Sequence, residues 1–320
     1  MKAWTLLMAL VLGTVATVAN AAWPDRPIHL IVPYPPGGGT DLLARVIGAQ
    51  LEKTLGQPVI VENKPGGSTI IGTAALTSAT PDGYTLGMVF DSLAINAVLG
   101  MKTPYDPDAD FAPIIKLAYV PLVLTVNTAQ VPMKTLAELV AYTKKNPGWF
   151  TFGSLGPGSP HEIGFLWLKA MSQMDALVVP YKGIAPALQD LVAGQIKGMF
   201  VGVAVADAYI AEGRLRTLGV TSPQRLINAP DVPTIAEQGY PEYDFVTFYG
   251  LSAPKGTPPD VVDRLNKEIN RILQLPDVRD RIEKSGAVAG GGTQQEFAKF
   301  LTANMKKFDK IMSITGDKPK

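Results

Sequence analysis

Not one cysteine occurs in the 320 residues, and there are only two histidines. The first absence excludes disulfides, a thiolate nucleophile and any metal site built on sulfur. The second, with no His-Glu-x-x-His pattern anywhere, leaves no histidine-based metal centre and little material for acid–base chemistry. Charge is sparse as well: 18% of residues are charged, 29 basic against 28 acidic, with no long run of either sign. So neutral a chain offers no electrostatic footprint for nucleic acid or an anionic membrane surface, and nothing in it calls for a cofactor. Stability must come from burial, for which 47% hydrophobic residues suffice. The length suggests one large or two medium domains.

The one long apolar run stands at the start. MKAWTLLMALVLGTVATVANAA carries Lys2 as its only charge, then a core of about a dozen apolar residues, then Ala19-Asn20-Ala21 as a small-x-small cleavage site. A membrane anchor needs roughly 18 or more continuous apolar residues. The segment therefore reads as a signal peptide, residues 1–21, cleaved near Ala21 on export to leave a formally neutral protein.

Beyond it, strand-like and helical stretches alternate, the pattern of an α/β fold with mostly parallel sheets. HLIV (29–32), VIVE (59–62) and YTLGMVF (84–90) predict strands, and DLLARVIGAQLEKTLG and STIIGTAALTSA predict helices between them. A capping box at Thr135–Glu138 opens a second series, in which FTFGS, ALVVPY, IKGMFV and RTLGV alternate with helical segments. Two long β-like runs, AYVPLVLTVN (118–127) and DFVTFYGLSAP (244–254), are placed to cross between lobes. Residues 22–122 with 246–320 are expected to form domain 1 and residues 123–245 domain 2, with a cleft between them. Thr257–Asp260 and Thr293–Glu296 are expected to cap helices in the tail. Phe297, Phe300, Leu301, Phe308, Ile311 and Met312 share one face of the last helix, which predicts packing.

Two glycine-rich loops stand between a strand and a helix. The first, YPPGGGTD (34–41), partly imitates a dinucleotide fingerprint, with Gly37 and Gly39 two apart and Glu62 at the end of the next strand. Leu42 occupies the position of the third glycine, however, Asp41 would repel a pyrophosphate, and no Gly-Lys-Ser/Thr follows. The second, GSLGPGSPHE (153–162), carries a capping box from Ser159 to Glu162 with Pro160 at the first helical position. Both loops allow close approach to backbone amides at a helix N-terminus, which suits a carboxylate. They are equally readable as tight turns, with Ser159 an ordinary cap.

The segments RPIHLIVPYPPGGGTDLLAR, PVIVENKPGGSTIIGT, PDGYTL, PYDPDADFAPI, VPYKGIAPALQDLVAGQI, VTSPQR, VPTIAEQGYPEY and GLSAPKGTPPDVVDRLNKEI resemble, in this order, the Bug or TctC-like substrate-binding proteins of tripartite tricarboxylate transporters. The resemblance runs from about Trp23 to the final helix. It implies a two-lobed periplasmic flytrap, monomeric and without cofactor, that delivers a small mono- or dicarboxylate to membrane permease subunits. Carried onto matching positions, it implies that Tyr34, Gly38, Gly39, Thr40 and Asp41 line one wall and Ser154, Gly158, Ser159 and His161 the other. Tyr181 in the Tyr-Lys-Gly turn, Asp207 and Ser92 complete the implied pocket. Phe248 stands where many members have tryptophan, and the loop GPGSPH is richer in proline than usual.

Two other classes compete. A hydrolase built on Ser159 and His161 would need the base within reach of its nucleophile and a third group to orient it, but Ser159 is better explained as a cap and no Gly-x-Ser-x-Gly elbow occurs. A sensor docking on a signalling receptor would use the same closed surface as a transport protein.

Overall fold

The computed structural model describes residues 23–156 and 158–315, and the expected leader lies outside them. β1 (Ile28–Val32) is apolar at nearly every position because helices cover both faces of its sheet. The YPPGGG turn leads into α1 (Gly39–Leu55), which buries Leu43, Ala44, Ile47, Leu51 and Leu55 at helical spacing. Gly56, left-handed at φ 72°, ends it by donating its N–H to the Glu52 carbonyl. β2 (Val59–Asn63), α2 (Ile70–Thr77), β3 (Thr85–Val89), α3 (Ser92–Val98) and the long β4 (Phe111–Pro121) follow.

After Leu122 the chain enters a different sheet as β5 (Val123–Asn127). α4 (Leu136–Lys145) starts with the Thr135–Glu138 box, both hydrogen bonds of which are present. Then come β6 (Thr151–Ser154), α5 (Pro160–Ser172), β7 (Leu177–Pro180), α6 (Ile184–Ala193), β8 (Gly198–Val201), α7 (Val203–Ala211) and β9 (Leu215–Val220). β10 (Val246–Pro254) returns to the first sheet, and α8 (Pro259–Leu273), α9 (Pro276–Lys284), β11 (Val288–Ala289) and α10 (Gln294–Thr315) complete the fold. Thr257 does not cap α8. Its hydroxyl donates to the Pro254 carbonyl at 2.8 Å, and Pro258 takes the cap position.

The sheets run β11-β4-β10-β3-β1-β2 and β7-β6-β8-β5-β9, so the molecule is a two-lobed α/β protein. The expectation of mostly parallel sheets fails at the strands that enter from the other lobe. β5 is antiparallel to β8 and β9, and β10 is antiparallel to β3 and β4. A chain leaving one sheet outward has to enter the other in the opposite sense, and no right-handed crossover precedes it.

The two crossings lie side by side, since β4 and β10 pair from Phe111↔Pro254 to Pro121↔Val246. Where they part, Thr221, fully buried, joins them. Leu122 N–H donates to Thr221 Oγ1 at 2.8 Å, Thr221 N–H to the Leu122 carbonyl at 2.9 Å, and Phe245 N–H to the Thr221 carbonyl at 2.9 Å. α10 straps both lobes. Its Phe297 and Phe300 pack on Phe248 of β10, while Phe308 and Ile311 join the second lobe's core with Phe245 and, from α3, Ala94 and Ile95. Lys307 Nζ, further along the same helix, donates to the Asp244 carbonyl. Among the described residues no helix is long and apolar enough to cross a membrane.

Candidate functional site

The opening loop owes its shape to Asp41. Its Oδ2 accepts from Gly37 N–H and Arg45 Nε, both at 3.0 Å, and its Oδ1 from Asn63 Nδ2 at 3.0 Å. The Arg45 hydrogen bond first, and then the Gly37 amide, hold its carboxyl down at about 2. The acid is spent inside the loop, closing it into a ring that Asn63 extends to the Tyr34 carbonyl. Gly38 caps α1 in an extended conformation with no side-chain bond, so the first-turn amides stay available as anion donors. Glu62, at the ribose position of the imitated fingerprint, instead pairs with His29 and with Lys64. The dinucleotide reading thus loses its second feature as well.

Hydroxyls surround this helix start. Ser92, the first residue of α3, accepts from Thr69 Oγ1 at 2.7 Å and is hydrogen-bonded to Tyr34. Tyr34 keeps 36% of its surface exposed, yet burial, then Asp91 and Tyr249, push its phenol far up. A ring wetted on one side and enclosed on the others lines a cleft. Tyr249 is hydrogen-bonded to Thr40, and a Cβ on Gly39 would stand 3.6 Å from its hydroxyl. Phe90 holds both phenol rings edge-on, with centroids at 4.9 Å to Tyr34 and 5.7 Å to Tyr249.

Phe248 goes to the opposite side of β10. It is 1% exposed, among Phe297 and Phe300. Successive strand residues face opposite ways, so the residue on the cleft side is its neighbour Tyr249, which sequence reasoning missed. The loop before α2 was also missed: Gly66, Gly67, Ser68 and Thr69 all have positive φ, at 124°, 56°, 52° and 77°. A left-handed β-branched residue is costly. Asn96 Nδ2, donating to the Ser68 carbonyl at 2.9 Å, and the Thr69–Ser92 bond hold it there. The adjacent glycines in KPGGST were the available signal.

On the second lobe, Ser159 caps α5, its Oγ accepting Glu162 N–H at 3.3 Å. Buried Ser154 accepts Gly156 N–H at 3.2 Å and so folds the loop. Gly158, at φ 75°, lies against α3, because a Cβ there would approach Leu99 Cδ1 to 2.9 Å and Ile95 Cγ2 to 3.9 Å. α3 therefore runs from the hydroxyl cluster at Ser92 to the second glycine loop, a span of about 10 Å at helical rise. That is the scale of a small molecule. His161, in the first turn of α5, has a buried Nδ1 with no partner among the described residues, and burial pushes its pKa down to about 4. Tyr181 is committed elsewhere: its hydroxyl donates to Asp190 at 2.7 Å, and burial with that acid raises it to about 12. Its N–H supports the Ser154 carbonyl at 2.9 Å. Asp207 is exposed on α7. Among the described residues no group of three or more potential ligands could hold a metal ion.

The chain has relatives that share this architecture. It is 34% identical over 310 residues to the protein BugT of Bordetella pertussis, covering 96% of this chain and 95% of that one. The R. palustris protein Rpa4515, solved with adipate, superposes with a TM-score of 0.80 at 31% identity, over 92% of this chain and 98% of the other. MatC of Rhodopseudomonas palustris, solved with malate, does so with a TM-score of 0.76 at 31% identity, over 90% and 99%. BugD, another solved relative at 30% identity, is a periplasmic binding protein, and a binding protein of this kind is not an enzyme, which removes the hydrolase reading of Ser159 and His161. The family model described as the tripartite tricarboxylate transporter family receptor, TctC, matches residues 43–316, and this chain belongs to that family.

Proposed function

We propose that this protein captures a small mono- or dicarboxylate, aliphatic or aromatic, between its lobes and delivers it to the permease subunits of a tripartite tricarboxylate transporter. The observation that carries the reading is the start of α1, a helix N-terminus without a side-chain cap, ringed by the hydroxyls of Tyr34, Thr40, Ser92 and Tyr249. A second helix start, at Ser159, stands across α3. Charge-assisted hydrogen bonds contribute about 1.5 to 3 kcal/mol each, and micromolar to nanomolar affinity needs about 8 to 12 kcal/mol. A carboxylate held at both helix starts supplies much of that without an arginine. Relatives solved with adipate and malate support the ligand class.

In this reading residues 22–122 with 246–320 form one moving body and 123–245 the other. Gly38, Gly39, Thr40, Ser92, Gly158, Ser159 and His161 line the ligand, while Asp41 and Ser154 shape the loops. The leader is removed near Ala21, and the mature protein acts as a periplasmic monomer. Calorimetry and thermal-shift measurements with citrate, C4 to C6 dicarboxylates, aromatic carboxylates and acidic amino acids test it. At least one carboxylate should bind tightly. Stabilisation by nucleotides or neutral sugars alone would overturn the assignment.

A further inference from the structure

Tyr249 belongs to no element that the glycine loops would lead one to examine. It sits on the return crossing β10, half-buried, with its ring edge-on to Phe90. Its hydroxyl nevertheless reaches the first turn of α1, close to Gly39. The direction of its hydrogen bonding decides what that hydroxyl can do. Thr40 and Tyr249 are hydrogen-bonded through two hydroxyls, each able to donate and to accept, and in the arrangement where Thr40 donates the phenol oxygen is the acceptor. In that arrangement Tyr249 still has its own proton to give. Tyr34 is hydrogen-bonded to Ser92, whose hydroxyl accepts from Thr69 and so keeps its own proton available for the phenol oxygen. Each phenol ends a relay of hydroxyls that leaves one O–H for the cleft.

Neither phenol ionises readily. Burial raises both, and each lies in the field of Asp91, whose own oxygens are occupied by Phe248 N–H and Asn304 Nδ2. Two protonated phenols beside a row of first-turn amides provide donors without any cation. Such a set suits an anion and needs little reorganisation because Phe90 packs edge-on against both rings.

We infer that Tyr249 is a specificity-determining residue whose phenol, paired with that of Tyr34, donates to the ligand carboxylate held at the N-terminus of α1. This rests on the carboxylate-binding reading above and names the group that selects the charged end. A carboxylate oxygen accepts from the phenol and the amides together. A carboxamide at the same end must turn its NH2 group towards some of those donors and is rejected.

The test uses the full mature chain and three acid–amide pairs, adipate with adipamide, malate with malamide and benzoate with benzamide, titrated calorimetrically into wild type, Y249F and T40V. For the acid that wild type binds most tightly, Y249F should weaken binding about ten- to hundredfold, the loss matching one charge-assisted hydrogen bond. Its amide should lose far less. T40V, which leaves the phenol in place and frees it to turn, should give a smaller loss of the same kind. Y249F binding the acid within twofold of wild type overturns the inference, and so does an equal loss for acid and amide, which would mean that the ring only packs. That comparison holds even if Y249F is less stable, since misfolding lowers both affinities alike. If wild type binds none of the three acids, the tightest carboxylate of the wider screen and its amide replace them; if no carboxylate binds at all, the carboxylate reading itself fails and takes this inference with it.

Discussion

Gly158 is where the second loop meets α3, and replacing it by alanine separates two costs. Holding an L-residue at φ 75° costs about 1 to 2 kcal/mol. The new methyl would also stand 2.9 Å from Leu99 Cδ1, well inside the 3.5 to 4.0 Å of an ordinary carbon contact. Leu99 is half-buried and can rotate, so the clash is relieved by moving either its side chain or the loop. Moving the loop displaces Ser159, the cap of α5, and with it the second helix start. G158A should therefore lose about 1 to 2 kcal/mol in urea unfolding and weaken carboxylate binding beyond that. L99A in the same chain removes the steric part alone. The double variant should recover much of the lost affinity while keeping the backbone cost, with a coupling of about 0.5 to 3 kcal/mol expected for touching residues. Wild-type affinity in G158A, or strictly additive effects of the two substitutions, would refute the reasoning.

Two further predictions concern titrating groups. Asp41, held near 2 against an ordinary 3.8, contributes about 2 kcal/mol that is present above pH 3.8 and lost as pH falls towards 2; D41N should show that deficit by urea unfolding at pH 7 and converge on wild type in acid. Asp91 has the opposite sign: burial raises it to about 6, so between pH 3.8 and 6 the native state keeps a proton that the unfolded chain has released, and stability falls as pH rises. D91N keeps an acceptor for Phe248 N–H and offers a donor to Asn304 Oδ1, which has no other partner among the described residues. Its melting temperature should gain on wild type from pH 4 to 7, and a difference independent of pH would contradict this. His161, pushed down to about 4, adds a rise in stability between pH 4 and 6.5 that both proteins share.

What could be read from the sequence was what is local. The boxes at Thr135–Glu138 and Thr293–Glu296 form as spaced, because each needs only its own four residues. β1 and β3 follow from short apolar runs, and α1 from its 3.6-residue period. The losses are where a distant partner decides. Which face of β10 meets the cleft depends on the position of α10, so the strand was legible and the choice of Tyr249 over Phe248 was not. KPGGST reads as a glycine turn, but the left-handed Ser68 and Thr69 are held by Asn96 and Ser92, on an element far along the chain. Asp41 was placed on the wall by resemblance; that its carboxylate turns inward depends on Arg45 and Asn63. The antiparallel entry of β5 and β10 is a property of crossing between lobes, which no window of sequence contains.

The strap formed by α10 bears on the order in which the molecule can be finished. Asp91 waits for Asn304, 213 residues later, and the aromatic faces of Phe245 and Phe248 are covered by Phe308 and by Phe297 with Phe300. Because these partners all lie on α10, downstream of the surfaces they cover, both lobes present bare aromatic surface until that helix has been synthesised. By the same logic a stop codon ahead of Phe297 yields a sticky intermediate with two unsealed cores, fit for a protease.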